Sequence, residues 1–159
     1  MGEKRPRTPW RLRDVMTLSE LIQAMRTDLG DAEGILFADP ALQRCIIRAI
    51  YPVRQDTGTA LLPINGEIVP APDGLIAELL LLLAESYACS IMRGKTANAV
   101  NVSSGDKRIE RTNQAKYWAE LEADFLARYR QRVTDLQGGD LFITPPRVRP
   151  VIYEQGSEV

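Results

Sequence analysis

Apolar residues recur at intervals of three and four over four stretches of the chain, which is the spacing of one face of an α-helix. The first predicted helix covers residues 18–29. Thr17 or Ser19 can cap its start, and Gly30 stands where a helix-terminating glycine belongs. The second helix is predicted over residues 41–51, because Asp39-Pro40 supplies a cap followed by a proline at the first helical position. A further proline, residue 52, is expected to end it.

Between residues 53 and 71 the helical spacing gives way to short apolar runs on both sides of Asn65-Gly66. This dipeptide favours a tight β-hairpin, because both turn positions need positive φ. Pro63 and Pro70 keep the two strands short or place them at an edge. We favour a connector as the interpretation of this hairpin, with a functional projection as the alternative.

A third helix is predicted from Pro72-Asp73 to about Met92, and its centre at 79–83 is apolar on every side. Glu78 and Glu85 lie seven residues apart on it, and each would cost about 2.5–3.5 kcal/mol at the middle of a bilayer. A buried core helix is therefore expected, with no membrane partner. These are also the acidic side chains for which burial could raise the pKa.

The fourth helix is predicted over residues 113–136. Its apolar stripe consists of Trp118, Leu121, Phe125, Tyr129, Val133 and Leu136. Together these patterns predict a mainly α fold: a small bundle of about four helices with a short β-hairpin insertion and extended N- and C-terminal arms. The helical domain is expected at 17–136.

The two arms differ in character. Residues 1–16 are basic and contain prolines, and residues 137–159 combine three prolines with many apolar side chains. The prolines prevent a helix in the C-terminal arm, and a free tail would leave its many apolar side chains exposed to water. We therefore predict that the C-terminal arm docks on a partner by strand addition, through Leu141, Phe142, Ile143, Val148, Val151, Ile152 and Tyr153.

Composition removes several functional classes. The chain has 159 residues, 45% hydrophobic and 26% charged, with a net charge of −1, so it should fold and shows no bulk basicity for nucleic-acid binding. The two cysteines, Cys45 and Cys89, lie in apolar helical patterns and are expected to be buried thiols of a reducing compartment. A basic start that runs into prolines does not look like a signal peptide.

The chemistry of most enzymes is also missing. There is no histidine, the commonest general base and metal ligand. Gly94-Lys95-Thr96 is the end of a phosphate-binding motif, but Cys89 stands where that motif needs a glycine. Asp28, Asp31 and Glu33 do not have EF-hand spacing and are interpreted as a solvated turn. We predict a protein without enzymatic activity, cofactor or metal.

The stretch 102–118 reads Val-Ser-Ser-Gly-Asp-Lys-Arg-Ile-Glu-Arg-Thr-Asn-Gln-Ala-Lys-Tyr-Trp. It resembles the loop-and-helix signature of head-to-tail adaptor (connector) proteins of tailed bacteriophages, in which a Ser-Gly-Asp turn and a short basic strand lead to a polar helix start and an aromatic residue. A helix ending in Leu-Gly-Asp, a second helix beginning Asp-Pro-Ala-Leu and a long Leu/Ala-rich helix follow the same order. The resemblance covers residues 17–136.

The resemblance implies a virion structural protein of the neck, made in the host cytoplasm. It would form a homo-oligomeric, dodecameric ring below the portal protein, join the tail or stopper protein, and surround the passing double-stranded DNA. The loop that would face the tail, a neighbouring subunit or the channel contains Ser103, Ser104, Gly105, Asp106, Lys107, Arg108 and Arg111. Its basic residues could meet phosphates or pair with acidic groups of an adjoining subunit.

Two other hypotheses remain open. The chain could be a small DNA-binding or packaging accessory protein that uses the basic arm and the basic loop, which would make its binding steeply salt-dependent. It could also be a tail-completion or stopper protein, although the helical pattern counts against this.

Overall fold

The structure is a computed structural model that describes residues 15–97 and 113–138, together with the strand backbones at 102–104 and 107–109. In these residues the helices are α1 (Leu18–Asp28), α2 (Asp39–Thr57), α3 (Gly74–Thr96) and α4 (Asn113–Gly138). The strands are β1 (Leu62–Ile64), β2 (Glu67–Val69), β3 (Val102–Ser104) and β4 (Lys107–Ile109). The predicted mainly α fold of four helices with a hairpin insertion is confirmed.

Helix α1 begins with a capping box. The Thr17 hydroxyl accepts the Glu20 backbone N–H at 3.3 Å, and the Glu20 carboxylate accepts the Thr17 backbone N–H at 2.7 Å. Two of the four N–H groups that a helix start leaves unpaired are thus satisfied. Thr17, rather than Ser19, is the cap.

Helix α2 extends further than its sequence predicts. It begins at Asp39, with Ala38 at the N-cap position and no side-chain cap, so the predicted cap at Asp39 is wrong. It continues through Pro52 to Thr57, so the predicted end at Tyr51 is also wrong. A proline inside a helix removes a hydrogen bond and costs about 3 kcal/mol. Val53, directly after the proline, is fully buried, and the packing of this last part of the helix offsets that cost.

The first hairpin forms as predicted. Strands β1 and β2 are antiparallel, with Leu62 opposite Val69 and Ile64 opposite Glu67. Asn65 and Gly66 have φ values of 52° and 79°, the positive angles that a two-residue hairpin turn requires.

Helix α3 is the central element, because all three other helices pack against it. The Asp73 carboxylate accepts the Ile76 N–H at 3.0 Å and caps its start. The helix ends at Thr96 rather than near Met92, so Gly94, Lys95 and Thr96 form its last turn with Arg93. An ion pair of 2.8 Å between Arg93 and Glu122 of α4 stabilises this last turn.

Among the described helices, α3 is long and apolar enough to cross a membrane by length and composition alone, with a mean hydropathy of 1.8 over its most apolar window. In this fold 67% of that window is buried inside the protein. Packing within a helical bundle therefore accounts for its apolar surface.

Helix α4 runs antiparallel to α3, since Arg93 pairs with Glu122 near one end and Glu78 pairs with Arg132 at 2.9 Å near the other. Of the predicted stripe, Trp118, Phe125 and Tyr129 are buried, and Leu121 and Val133 are partly buried. Leu136 is 38% exposed, so its predicted place in the core is wrong. Helix α3 begins at Gly74, only one turn before Glu78, so it offers little surface opposite the last residues of α4.

Candidate interaction surfaces

The basic loop of the stretch 102–118 contains a second hairpin. Strands β3 and β4 pair antiparallel, with Ser103 opposite Arg108 and Ser104 opposite Lys107. The resemblance implied a turn and a short basic strand here, and the partner strand at residues 102–104 was not predicted because three-residue strands carry almost no periodic signal. Gly105, Asp106 and Arg111 lie outside the described residues.

Most of both predicted arms also lies outside the described residues. This holds for residues 1–14 and for all seven candidate docking residues of the C-terminal arm, from Leu141 to Tyr153. Met16, the last residue of the predicted N-terminal arm, packs on the bundle: it is partly buried, and its N–H donates to the Pro72 carbonyl at 3.0 Å.

The β1–β2 hairpin presents an apolar surface to solvent. Leu62, Ile64 and Val69 are each 45% exposed, whereas Ile68, on the opposite face, is buried against the bundle. A two-stranded hairpin also leaves backbone N–H and C=O groups free along its outer edges. This apolar hairpin face, defined by Leu62, Ile64 and Val69, is a surface suited to contact with another protein chain.

A buried ion pair closes the loop between α1 and α2. Asp31 is 4% exposed; its carboxylate contacts Arg26 at 3.1 Å and accepts the backbone N–H groups of Ile35, Leu36 and Phe37 at 2.7–2.9 Å. Burial raises the pKa of Asp31, but these hydrogen bonds and the Arg26 charge outweigh it and hold the pKa below its usual value. The prediction of a solvated turn is wrong for Asp31.

A signal for this pair exists in the sequence. Arg26 lies within the apolar stripe of α1, between Ile22 and Leu29, and a charged residue at such a position must find a partner when it is buried. In the structure its guanidinium also donates to the Phe37 carbonyl at 3.0 Å and pairs with Asp39.

Glu85 is buried near the middle of α3. It is 2% exposed, and its Oε1 atom has no hydrogen-bond partner among the described residues. Burial, followed by a hydrogen bond and the negative charge of Asp28, raises the pKa of Glu85 to about 9, while Arg128 opposes the shift. The expected burial effect is confirmed for Glu85. Glu78 instead has a side chain 40% exposed and pairs with Arg132.

Glu85 forms part of a pocket of about 380 Å³ that we call the carboxylate pocket. It opens between the end of α1 and the middles of α3 and α4. Its walls are Asp28, Glu78, Leu81, Leu82, Glu85, Leu121, Asp124, Phe125 and Arg128. A second pocket of about 350 Å³ shares the Glu78, Leu82 and Arg128 walls, so the two form one groove along α3 and α4.

The two cysteines of the described residues lie in the core. Cys45 and Cys89 are buried free thiols, as expected, and burial raises the pKa of both, that of Cys89 to about 12. Such thiols are poor nucleophiles at neutral pH. Within the described residues no cluster of cysteine, aspartate or glutamate side chains could hold a metal ion.

No protein family matches the chain, and neither the curated proteins nor the solved structures provide a match.

Proposed function

We propose that this protein is a structural subunit of a tailed-bacteriophage neck, a head-to-tail adaptor that forms a ring below the portal and extends the DNA channel toward the tail. The observation that carries the proposal is the stretch 102–118, whose sequence resembles the adaptor signature and which runs in the sequence from β3 and β4 to Trp118 of α4. The buried thiols and the lack of histidine agree with a protein that assembles rather than catalyses.

The helical bundle suits a ring subunit that must keep its shape under load. Helix α3 is buried by the three other helices, and ion pairs at both ends fix its register against α4. The apolar hairpin face offers a surface whose burial against a neighbouring copy would be favourable, at about 25 cal/mol for each Å² removed from water. Closed rings require a head-to-tail contact of this kind between two different surfaces of the subunit.

The C-terminal arm is proposed as the element that docks on the portal. Its prolines bias the chain toward extended conformations, so less conformational entropy is lost on binding, and its non-proline residues can donate and accept backbone hydrogen bonds. Strand addition to the portal or to a neighbouring subunit uses both properties.

The test is to end the chain after Gly138 and measure folding and assembly separately. Because the four helices are complete at that residue, far-UV circular dichroism and the melting temperature should stay nearly unchanged. The truncated chain should no longer attach stably to the portal protein from the same genome. Mass measurement of the mixture reports this loss. Glu154→Gln, a polar change within the same arm, should attach normally.

The proposal fails if the full-length protein and the portal remain separate species at all concentrations tested. The proposal for the arm alone fails if the truncated chain still attaches, or if it unfolds, because the arm would then belong to the core of the subunit.

A second candidate is a DNA-binding or packaging accessory protein, favoured by the backbone pairing that places Lys107 and Arg108 on one strand of a hairpin. It predicts binding to free double-stranded DNA that weakens steeply between 50 and 200 mM salt, by about 10³-fold or more for six phosphate contacts. An adaptor should show little affinity for free DNA even at the lower salt concentration.

A further inference from the structure

The carboxylate pocket contains more acidic groups than its own arginines neutralise. Asp124 pairs with Arg128 at 2.6 Å, and Glu78 pairs with Arg132 at 2.9 Å. Two further carboxyl groups, those of Asp28 and Glu85, have no basic partner at ion-pair distance among the described residues. The pocket therefore lacks at least one positive charge.

The unpartnered atom lies at the most buried position of the pocket. Oε1 of Glu85 is shielded from solvent and makes no hydrogen bond within the described part of the chain. A buried polar atom without a partner destabilises the fold, so a donor that reaches it is favoured. Beside it lie Leu81, Leu82, Leu121 and Phe125, an apolar floor for a methylene stem. A long basic side chain combines such a stem with charged N–H donors.

The chain itself contains a segment with this chemistry. Residues 1–13 include five basic side chains, Lys4, Arg5, Arg7, Arg11 and Arg13, against the single acidic Glu3. They precede Met16, which is bonded to Pro72 at the start of α3. From Gly74 to Glu85 the helix rises about 17 Å, at about 1.5 Å per residue. Thirteen extended residues span up to about 45 Å, so this segment can reach the pocket of its own chain.

A path for the segment is also present. The second pocket, lined by Glu78, Leu82, Gln131, Arg132 and Asp135 among others, joins the carboxylate pocket and lies toward the start of α3. Its acidic groups alternate with polar and apolar ones. The groove therefore leads to Glu85 from the end of the bundle at which the segment joins Met16.

We propose that the basic N-terminal segment, residues 1–13, binds along this groove in its own chain and places an arginine or lysine side chain between Glu85 and Asp28. The inference does not depend on the adaptor role. It assigns the segment to the bundle itself, as a charged strap across α3 and α4, rather than to DNA.

Binding should be coupled to loss of a proton. Facing Glu85 are Asp28 from α1, Asp124 and Arg128 from α4, and the thiol of Cys89 on its own helix. With the pocket empty, the raised pKa keeps Glu85 protonated at pH 7. An incoming cation favours the carboxylate, so Glu85 releases its proton to solvent and the two opposite charges pair. Affinity should therefore rise between pH 6 and 9.

The test uses a full-length neutral-segment variant in which Lys4, Arg5, Arg7, Arg11 and Arg13 are all replaced by glutamine. A synthetic peptide with the sequence of residues 1–13 is titrated into it by calorimetry at low salt. The peptide should bind one to one. It should bind at least tenfold more weakly to the wild-type chain, whose own segment occupies the groove.

The matched variants are made in the neutral-segment background. Glu85→Gln, which is close in shape to the protonated acid, and Asp28→Asn should each weaken peptide binding about tenfold. Glu33→Gln, an exposed carboxylate on the α1–α2 loop, should leave it unchanged. Titrations in two buffers with different heats of ionisation should show proton release at pH 7 that Glu85→Gln abolishes.

Three results would each overturn the proposal. They are absence of peptide binding to the neutral-segment variant, equal binding to the variants at Glu85 and Asp28, and equal binding to the wild-type chain. Circular dichroism of each variant separates a loss of binding from a loss of fold, and the exposed Asp28 provides a second reading if Glu85→Gln destabilises the bundle.

Discussion

Replacing Asp31 by asparagine should destabilise the protein far more than its position in a polar turn indicates. The carboxylate accepts four hydrogen bonds: Ile35 and Leu36 N–H on Oδ1, and Phe37 N–H and Arg26 Nη1 on Oδ2. An asparagine of the same shape has one oxygen and one NH₂ group. Whichever way the amide is oriented, two of the four hydrogen-bond donors then face its NH₂ group instead of an oxygen and lose their acceptor.

The magnitude follows from these two lost bonds. A hydrogen bond to a charged group contributes about 1.5–3 kcal/mol, and removing one partner of a buried ion pair costs about 3–5 kcal/mol. Because Arg26 keeps its bonds to Phe37 and Asp39, we expect a loss of about 3–5 kcal/mol rather than the full sum of both effects. For a chain of this length, that lowers the melting temperature by about 6–20 °C.

Urea unfolding followed by circular dichroism gives the free energy directly, and fluorescence of Trp118, which packs edge-on against Phe37 at 6.2 Å, reports on the same region. Because the folded-state pKa of Asp31 is lowered, its stabilisation is present above the unfolded-state pKa and is lost as pH falls through the folded-state pKa. The difference between the wild-type chain and the variant should therefore shrink in acid. Glu33→Gln in the same loop should cost under about 0.5 kcal/mol. A loss below 1 kcal/mol for Asp31→Asn would refute the reasoning.

Three other expectations concern the core, a glycine contact and a buried acid. Leu83→Ala should lower the free energy of unfolding by about 2–5 kcal/mol in urea titrations, and a loss under 0.5 kcal/mol would mean that this face of α3 is not packed. Gly30→Ala should cost about 1–2 kcal/mol for its positive φ, and Gly34→Ala should cost more, because its new Cβ would lie 2.9 Å from Arg26; equal melting temperatures would contradict this. In the neutral-segment variant, Glu85→Gln should raise the melting temperature at pH 8 but hardly at pH 4. The folded-state pKa of Glu85, about 9, lies above the usual 4.5, so the free energy of unfolding of the chain with Glu85 falls as pH rises between these values. A Glu85→Gln variant with the same pH profile as its parent would refute this expectation.

The number and order of the helices could be read from the sequence because each buries one stripe that repeats every three to four residues. Asn65-Gly66 fixed the first hairpin for a similarly local reason, since few residue pairs tolerate two positive φ values. The cap at Thr17 follows from a side chain three residues from its partner. Interactions of this range are encoded in neighbouring residues, so the amino-acid pattern determines them before any tertiary contact forms.

The tertiary structure decided what depends on residues far apart in the chain. Helix α2 passes through Pro52 because Val53 packs in the core, and Leu136 is exposed because α3 starts too late to cover it. Asp31 became a buried acceptor only because Arg26 lies in the apolar stripe of α1 and holds the loop around it. The carboxylate pocket joins α1, α3 and α4, which no local pattern brings together. Local propensity specifies elements, whereas burial and charge pairing between elements specify their ends and their pockets.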